Sequence, residues 1–181
     1  YAALVPCVFS AFVGVSVAKF LGLAPEHYEI GLVPEFGASS ALLTVLIGIL
    51  CACVGIFLCV SLHQCGHAYR KVFPNPYIRV LAGSAIFIVL TLLFPARLYN
   101  GSGAQIIEMV FEGEKIPVYA FLMKILFTGV ALGAGFKGGE IVPTLTVGAA
   151  FGYLMSLVTG LPVGLCASVG MACLFVSVTN C

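Results

Sequence analysis

The stretch from Ile141 to Cys181 contains no Asp, Glu, Lys or Arg. A helix that crosses a bilayer needs about 20 mostly apolar residues, so this run is about twice as long as one crossing requires. The sequence TGLPVG at residues 159–164 supplies the glycine and proline that interrupt it. We therefore predict one helix over residues 143–158 and another over residues 164–178. Both are short for a full crossing, and such helices are expected to begin or end inside the membrane, facing a cavity or other protein.

The rest of the chain has the same apolar character. Of its 181 residues, 61% are hydrophobic and 8% are charged, whereas globular proteins carry about a quarter charged residues. Four further apolar segments end at charges or prolines, at residues 2–18, 41–62, 78–94 and 117–134. The second continues as a wetter helical tail until Pro74 and Pro76, and a short helix is expected at Ala104–Phe111. We predict an all-α fold of polytopic transmembrane helices of varied length.

Charge and cysteine content exclude several classes of function. The net charge of +1 gives no electrostatic reason to expect nucleic acid or an acidic partner. Most of the eight cysteines lie in apolar stretches, where a thiol behaves as a small hydrophobe, so no disulfide framework is predicted. We expect neither an enzyme nor a cofactor.

The loops give an orientation. The loop at residues 63–79 holds two arginines and a lysine without an acid, whereas the loops at 19–40 and 97–117 are richer in glutamate. Because positive charge is retained in the cytoplasm, we predict that loop 63–79 is cytoplasmic and that the two acidic loops lie outside. The chain is then a multi-pass protein of the cell membrane.

The sequence GFKGGEIVP at residues 135–143 has the composition of a ligand-binding helix start. Gly138 and Gly139 have no side chain to keep a ligand from the backbone, and Pro143 suits the first turn of a helix. A helix N-terminus with bare amides in the membrane needs a partner, and an anion fits both the N–H groups and the dipole. A kink or a close helix contact is the alternative reading.

The longer stretch GAGFKGGEIVPTLTVGAAFG, residues 133–152, resembles the Gly-x-Phe-x-Pro segment of the CLC family of chloride channels and anion/proton antiporters. The later ASVGMACLFVSVTNC is similar to the next helix of that family. The resemblance is strong over residues 129–181 and extends by pattern over nearly the whole chain. It implies a partial CLC-type fold, in which residues 1–181 form a single membrane domain from the middle of a longer transporter. A first residue of Tyr1 rather than Met agrees with such an interior piece.

The resemblance also implies a site. In the family, amides at the second and third positions of the motif help to hold a halide, which here are the amides of Glu140 and Ile141, with Gly139 providing access. Ile141 replaces the usual Phe, and Glu140 stands where most members have an apolar residue. An acid at this position is similar to the branch associated with fluoride/proton exchange, so Glu140 is a candidate for proton coupling to chloride or fluoride movement. The alternative is that Glu140 pairs with Lys137.

Other elements of the family pattern are absent from the chain. The segment with the gating glutamate does not occur, and NGSGAQ at residues 100–105 stands in the wrong context to replace the Gly-Ser-Gly-Ile-Pro segment. The family forms homodimers, and residues 1–18 resemble part of its apolar dimer surface, although an ordinary buried helix fits nearly as well.

Two further features have competing interpretations. Cys59, His63 and His67 share one helical face and offer three zinc ligands, which would indicate a metal-binding membrane protein or enzyme. A helix end with interfacial histidines and small cysteines is the commoner arrangement. Lys124 lies inside an apolar run and is expected to pair with Glu108, Glu112 or Glu140, or to extend to an interface. A purely structural membrane segment without a transport role is a third interpretation.

Overall fold

The computed structural model describes residues 4–23, 28, 30, 37–94 and 97–179. Within these ranges the regular structure is helical, and no strand occurs there. The helices are α1 (Leu4–Phe20), α2 (Ala38–Val72), α3 (Pro76–Leu93), α4 (Ala104–Phe111), α5 (Ala120–Ala134), α6 (Ile141–Thr159) and α7 (Val163–Thr179). A single 3-10 turn, η1 (Arg97–Tyr99), precedes α4. The predicted all-α class is confirmed.

The helix ends follow the predicted breakers closely. α2 continues through its polar tail for 35 residues and ends just before Pro74. Asn75 caps α3, because its side chain accepts a hydrogen bond from the amide of Tyr77 at 3.0 Å. Gly160, in the left-handed conformation at φ 72°, ends α6.

One length prediction was wrong. α6 begins at Ile141, two residues earlier than expected, and its 19 residues are long and apolar enough to cross a membrane. Pro143 is the third residue of this helix rather than the first, which is allowed because the first-turn amides have no partner within the helix. α7 has 17 residues and remains short for a crossing. α2 and α3 also have the length and composition of membrane spans.

Close contact between α6 and α7 depends on glycine. A Cβ atom added to Gly148 would lie 2.8 Å from the Cα atom of Met171, and one added to Gly152 would lie 2.7 Å from the Cα atom of Ala167. Membrane helices approach each other through small residues in this way, since lipid provides no hydrophobic drive for their association. This close contact holds α6 against α7 at Gly148 and Gly152, in the part of α6 that follows its N-terminal turns.

α5 lies between α2, α3 and α6 and carries much of the core. On its α2 side, a Cβ atom added to Gly133 would lie 3.0 Å from the Cβ atom of Cys65 and 3.1 Å from the ring of Tyr69. On another side, the ring of Phe127 meets that of Phe87 of α3 edge to face, with centroids 5.4 Å apart. This central helix ends beside the start of α6, where the predicted site lies.

Candidate anion-binding site

The predicted site is the connection between α5 and α6. α5 ends at Gly135, whose φ of 101° requires glycine. The amide of Phe136 then donates back to the carbonyl oxygen of Ala131 at 3.3 Å, which closes the last turn. Residues 136–140 form a short loop that brings the chain directly to the first residue of α6.

The N-terminus of α6 has free backbone donors. In the described part of the chain, no side chain caps this helix, and Glu140 occupies the cap position with helical backbone angles. Thr144 uses both its amide and its hydroxyl on the carbonyl oxygen of Glu140, at 3.1 and 2.7 Å. The first-turn amides are therefore left to a ligand or water.

Gly139, Glu140 and Ile141 are adjacent and exposed at this position. A Cβ atom added to Gly139 would meet nothing within 4 Å, so open space adjoins its backbone. Glu140 is exposed rather than buried. It makes no ion pair within the described ranges, which leaves the alternative of a pair with Lys137 without support.

Two of the cavities beside the loop have charged residues in their lining. The first, which we call the lysine cavity, has a volume of about 250 Å³. Its polar and backbone lining is contributed by Tyr99, Gly101, Lys124, Thr128, Lys137, Gly138 and Gly139. The second, which we call the glutamate cleft, has a volume of about 750 Å³ and lies between the tail of α2 and the loop. Its polar lining is His63, Gln64, Arg70 and Glu140.

The loop thus presents different chemistry on its two sides. Gly138 and Gly139 line the lysine cavity, whereas Glu140 lines the glutamate cleft. Among the described residues, the lysine cavity has two cations and no carboxylate in its lining. That charge favours anions in the lysine cavity, while Glu140, the acidic residue of the loop, lines the glutamate cleft.

Lys124 is buried within the protein, with 1% of its surface exposed. Its ammonium donates hydrogen bonds to the carbonyl oxygen of Tyr99 at 3.2 Å and to that of Gly101 at 2.8 Å. The expectation that Lys124 pairs with Glu108, Glu112 or Glu140, or reaches an interface, was therefore wrong. Backbone carbonyls of the loop before α4 satisfy part of its hydrogen bonding instead.

The loop before α4 is shaped to receive this lysine. Gly103 has a φ of 86°, and a Cβ atom there would lie 2.8 Å from Cε of Lys124 and 2.9 Å from its Nζ. The hydroxyl of Thr146 donates to the carbonyl oxygen of Ser102 at 3.3 Å, which attaches α6 to the same loop. The NGSG sequence therefore has a definite role beside the site, which sequence reasoning had set aside.

Tyr99 adds a buried hydroxyl to this region. The residue is 3% exposed, and its ring packs on that of Phe127 with centroids 5.9 Å apart. Its hydroxyl is buried and has no hydrogen-bond partner in the described part of the chain. Burial raises the pKa of this phenol above its ordinary value, and the neighbouring Tyr119 adds to the effect.

Comparison with known proteins identifies the family to which this architecture belongs. The family described as voltage gated chloride channel matches residues 1–181. The chain belongs to the voltage gated chloride channel family. This CLC chain also superimposes on a crystal structure of a CLC-type fluoride/proton antiporter with a TM-score of 0.93 and 28% identity, covering 99% of this chain and 45% of that one.

Curated relatives of this CLC chain agree. A chloride/fluoride channel protein of Pseudomonas syringae pv. tomato is 30% identical over 186 residues, or 99% of this chain and 41% of the relative. An uncharacterised protein of Methanocaldococcus jannaschii is 26% identical over 171 residues, covering 88% of this chain and 41% of the relative. The chain thus spans about two fifths of the length of these relatives. The expected CLC-type fold, and with it a multi-pass membrane protein, is confirmed.

The metal-binding alternative for this CLC chain loses its basis in the structure. Among the described residues, no group of three or more His, Cys, Asp or Glu side chains is placed to hold a metal ion. Cys59 and His63 both line the glutamate cleft, whereas His67 does not. The shared helical face was a correct reading of spacing, but it did not create a metal site.

Sequence reasoning singled out Lys124 but not its place in the cavity beside the loop, and it missed Tyr99 altogether. A charged residue in an apolar run was a visible signal for Lys124, and paired glycines at Gly101 and Gly103 were a signal for a loop that admits it. Nothing in the sequence marked Tyr99, because only the structure shows that its hydroxyl is buried without a partner in the described part of the chain.

Proposed function

We propose that the protein transports halide anions across the cell membrane, as a channel or as an anion/proton antiporter, with fluoride favoured over chloride. Membership of the voltage gated chloride channel family supports anion transport. The names of the Pseudomonas syringae relative and of the similar crystal structure, a chloride/fluoride channel and a fluoride/proton antiporter, support the choice of ion. The observation that carries the proposal is the uncapped N-terminus of α6 beside the open backbone of Gly139.

The proposed anion site consists of backbone groups. The amides of Glu140 and Ile141 supply hydrogen bonds, and the N-terminal end of the α6 dipole supplies a favourable potential. Gly139 allows an ion to approach because no side chain or neighbouring atom fills the adjacent space. A site made of amides binds anions without a fixed countercharge, so an ion can also leave, as transport requires.

Glu140 is the proposed proton-coupling group. Glu140 lines the glutamate cleft, while its own amide belongs to the proposed anion site. An ionised Glu140 carboxylate repels an anion bound at the amide of the same residue, and a protonated carboxyl does not. The proton occupancy of one residue therefore affects the anion occupancy of the site, which is the chemical requirement for exchange.

The two cavities give this proposal a direction. The lysine cavity extends from the loop of Tyr99 and Gly101 to the backbone of Gly139. The glutamate cleft extends from the tail of α2 to Glu140. With loop 63–79 in the cytoplasm and loop 97–117 outside, the loop before α6 separates an outer anion space from an inner proton-accessible space.

The protein is further proposed to act as a homodimer in the bilayer. α1 exposes large apolar side chains, among them Val5, Phe9 and Phe12 at 73%, 71% and 71%. Such a helix suits contact with lipid or with a second subunit, and its small residues allow close helix approach. This agrees with the similarity of residues 1–18 to a dimer surface.

Anion efflux from liposomes that contain the full-length protein tests the proposal. Fluoride and chloride efflux and proton movement are recorded for wild-type protein and for Glu140→Gln. Glu114→Gln is the matched control, because Glu114 is also an exposed carboxyl but lines neither cavity. We expect fluoride-selective flux with proton movement in the wild type and in Glu114→Gln, and loss of proton movement in Glu140→Gln.

The other outcomes separate the parts of the proposal. Chloride flux that is insensitive to Glu140→Gln would retain anion transport and remove the coupling role of Glu140. Absence of any halide flux in properly assembled protein would overturn anion transport itself.

A further inference from the structure

Arg79 of α3 carries a charge that has no partner in the described part of the chain. Its side chain is half-buried, and its Nε is enclosed there without a hydrogen-bond partner. A Cβ atom on Gly135 would lie 3.6 Å from Nη2 of Arg79, so the guanidinium lies at the C-terminal end of α5. The dipole of α5 attracts the charge, but within the described ranges no carbonyl oxygen or carboxylate accepts a hydrogen bond from it. Only Nε is enclosed in this way, so the two terminal nitrogens are the atoms open to a ligand.

A separate cavity, which we call the apolar cavity, lies between α3 and α5 and has a volume of about 280 Å³. It is lined by Ser84, Phe87, Ile88, Ala131 and Phe136. Ser84 adds no free donor, because its hydroxyl donates to the carbonyl oxygen of Val80 at 2.8 Å. Ile88 and Phe136 are 58% and 40% exposed, so the cavity opens at the outer surface of the two helices. Such a cavity suits a hydrocarbon chain rather than water or an ion.

Consecutive residues after α5 bring the charge and the apolar cavity together. A Cβ atom on Gly135 would meet both the guanidinium of Arg79 and Cγ2 of Val80, and the next residue, Phe136, lines the cavity. Ser84 and Ile88 lie roughly 7 and 13 Å beyond Arg79 along α3, at about 1.5 Å per residue. The cavity therefore extends from the charge over about half the thickness of a bilayer's hydrocarbon core.

The start of α3 has the character of a membrane interface. Tyr77 is 85% exposed, and exposed tyrosines at the ends of membrane helices lie at the level of the lipid head groups. Leu81, one turn further on, is 73% exposed, as suits a surface in contact with acyl chains. The loop at residues 63–79 is basic and contains no acid, and such segments attract the anionic lipids of the cytoplasmic leaflet.

We propose that this place binds one anionic phospholipid, whose phosphate accepts hydrogen bonds from the terminal nitrogens of Arg79 and whose acyl chain enters the apolar cavity. A guanidinium suits this role because its planar N–H groups match a phosphate and are weakly hydrated. The position lies away from the proposed anion route, since Arg79 lines neither the lysine cavity nor the glutamate cleft. Phe136 lines both the apolar cavity and the lysine cavity, so the lipid contacts the loop that leads to α6. This inference goes beyond the proposed function.

Native mass spectrometry of the full-length protein in detergent counts the lipids that stay bound. Dioleoyl phosphatidylglycerol is titrated into wild type, Arg79→Gln and Ser84→Leu, with dioleoyl phosphatidylcholine and glycerol 3-phosphate as comparison ligands. Arg79→Gln removes the charge, and Ser84→Leu places a larger side chain in the cavity. Lys71→Gln is the matched control, because Lys71 is an exposed cation of the same loop and lines none of the three cavities.

We expect wild type and Lys71→Gln to bind one phosphatidylglycerol per chain, about tenfold more tightly than phosphatidylcholine, because hydrogen bonds between charged groups are the stronger ones. Arg79→Gln should remove this preference for the anionic lipid. Ser84→Leu should weaken the binding of both lipids, since the acyl chain loses its space. Glycerol 3-phosphate should not compete, because it has the phosphate without the chain.

Four results would overturn the proposal. Equal affinity for the two lipids, or an equal loss in Arg79→Gln and Lys71→Gln, would remove Arg79 as the phosphate ligand. Unchanged binding in Ser84→Leu would remove the cavity as the place of the acyl chain. Competition by glycerol 3-phosphate would indicate a site for free phosphate, and absence of bound lipid in wild type would indicate that a second subunit or another part of the protein covers the cavity.

The test does not depend on one variant or on transport. If Arg79→Gln fails to fold, the comparison of ligands in wild type and the Ser84→Leu result still decide the matter. Lipid binding is measured without halide flux, so its failure and the failure of the proposed function are separate results.

Discussion

The ammonium nitrogen of Lys124 lies 2.8 Å from the carbonyl oxygen of Gly101, which joins the N-terminal part of α5 to the loop before α4. The same loop is attached to α6 through the hydroxyl of Thr146 and the carbonyl oxygen of Ser102. Lys124 and Thr146 together therefore connect α5, this loop and α6. The following predictions test this arrangement and the surrounding packing.

Gly103→Ala should destabilise the protein through both strain and collision. A non-glycine residue at its φ of 86° costs about 1 kcal/mol in strain. The added Cβ atom would also lie 2.8 Å from Cε of Lys124 and 2.9 Å from Cγ2 of Thr146, which adds about 1–3 kcal/mol for overpacking. Thermal unfolding of purified protein in detergent measures the change.

Gly113→Ala is the control for that substitution. Gly113 has a similar φ of 77°, but a Cβ atom there meets nothing within 4 Å. It should lose only about 1 kcal/mol from backbone strain. Equal losses for both substitutions would show that Lys124 and Gly103 are not tightly packed.

Gly148→Ala should separate α6 from α7. The new Cβ atom would lie 2.8 Å from the Cα atom of Met171, and a backbone atom cannot turn aside as a flexible side chain can. We expect a loss of about 1–3 kcal/mol or more, together with weakened halide flux because α6 carries the proposed amide site. Unfolding in detergent and flux in liposomes are the measurements.

Gly48→Ala provides the comparison within a helix. Its added Cβ atom would lie 3.7 Å from Sγ of Cys173, which is ordinary van der Waals contact. This substitution should leave stability unchanged or improve it slightly, because alanine favours helix more than glycine does. A similar loss in Gly48→Ala and Gly148→Ala would contradict the close contact between α6 and α7.

The double substitution His63→Ala and His67→Ala should leave halide flux intact and should not change zinc content. Among the described residues, no group of three or more His, Cys, Asp or Glu side chains is placed to hold a metal ion, so we expect neither histidine to be a metal ligand. Flux in liposomes and metal analysis of the purified protein test this. Loss of bound zinc together with activity would revive the metal-binding interpretation.

The buried phenol of Tyr99 predicts a loss of stability at alkaline pH. Its pKa is raised above the ordinary value of 10.0, so the unfolded chain releases this proton first as the pH rises. The free energy of unfolding should then be unaffected below pH 10.0 and fall above it, until the folded-state pKa is reached. Melting temperatures from about pH 9 to about pH 11 should fall more steeply in wild type than in Tyr99→Phe, and parallel curves would contradict the prediction.

Local sequence carried most of the information about helix ends. Pro74 and Pro76 stop α2 and start α3, and Gly160 ends α6, because these residues restrict backbone conformation whatever surrounds them. Long uncharged runs likewise indicated the spans, since a bilayer excludes charge. The start of α6 was misjudged by two residues, because a proline is tolerated throughout the first turn and does not mark its first position.

The sequence by itself determined the helices, their membrane character and the glycine-rich start of α6, because these depend on backbone conformation and hydrophobicity near each residue. Only the tertiary structure decided that Lys124 bonds to the carbonyl oxygens of Tyr99 and Gly101 rather than to a glutamate. It alone placed Gly139 and Glu140 towards different cavities. A buried charge takes the partners that packing brings within hydrogen-bond distance, and those partners lie 23 and 25 positions away along the chain.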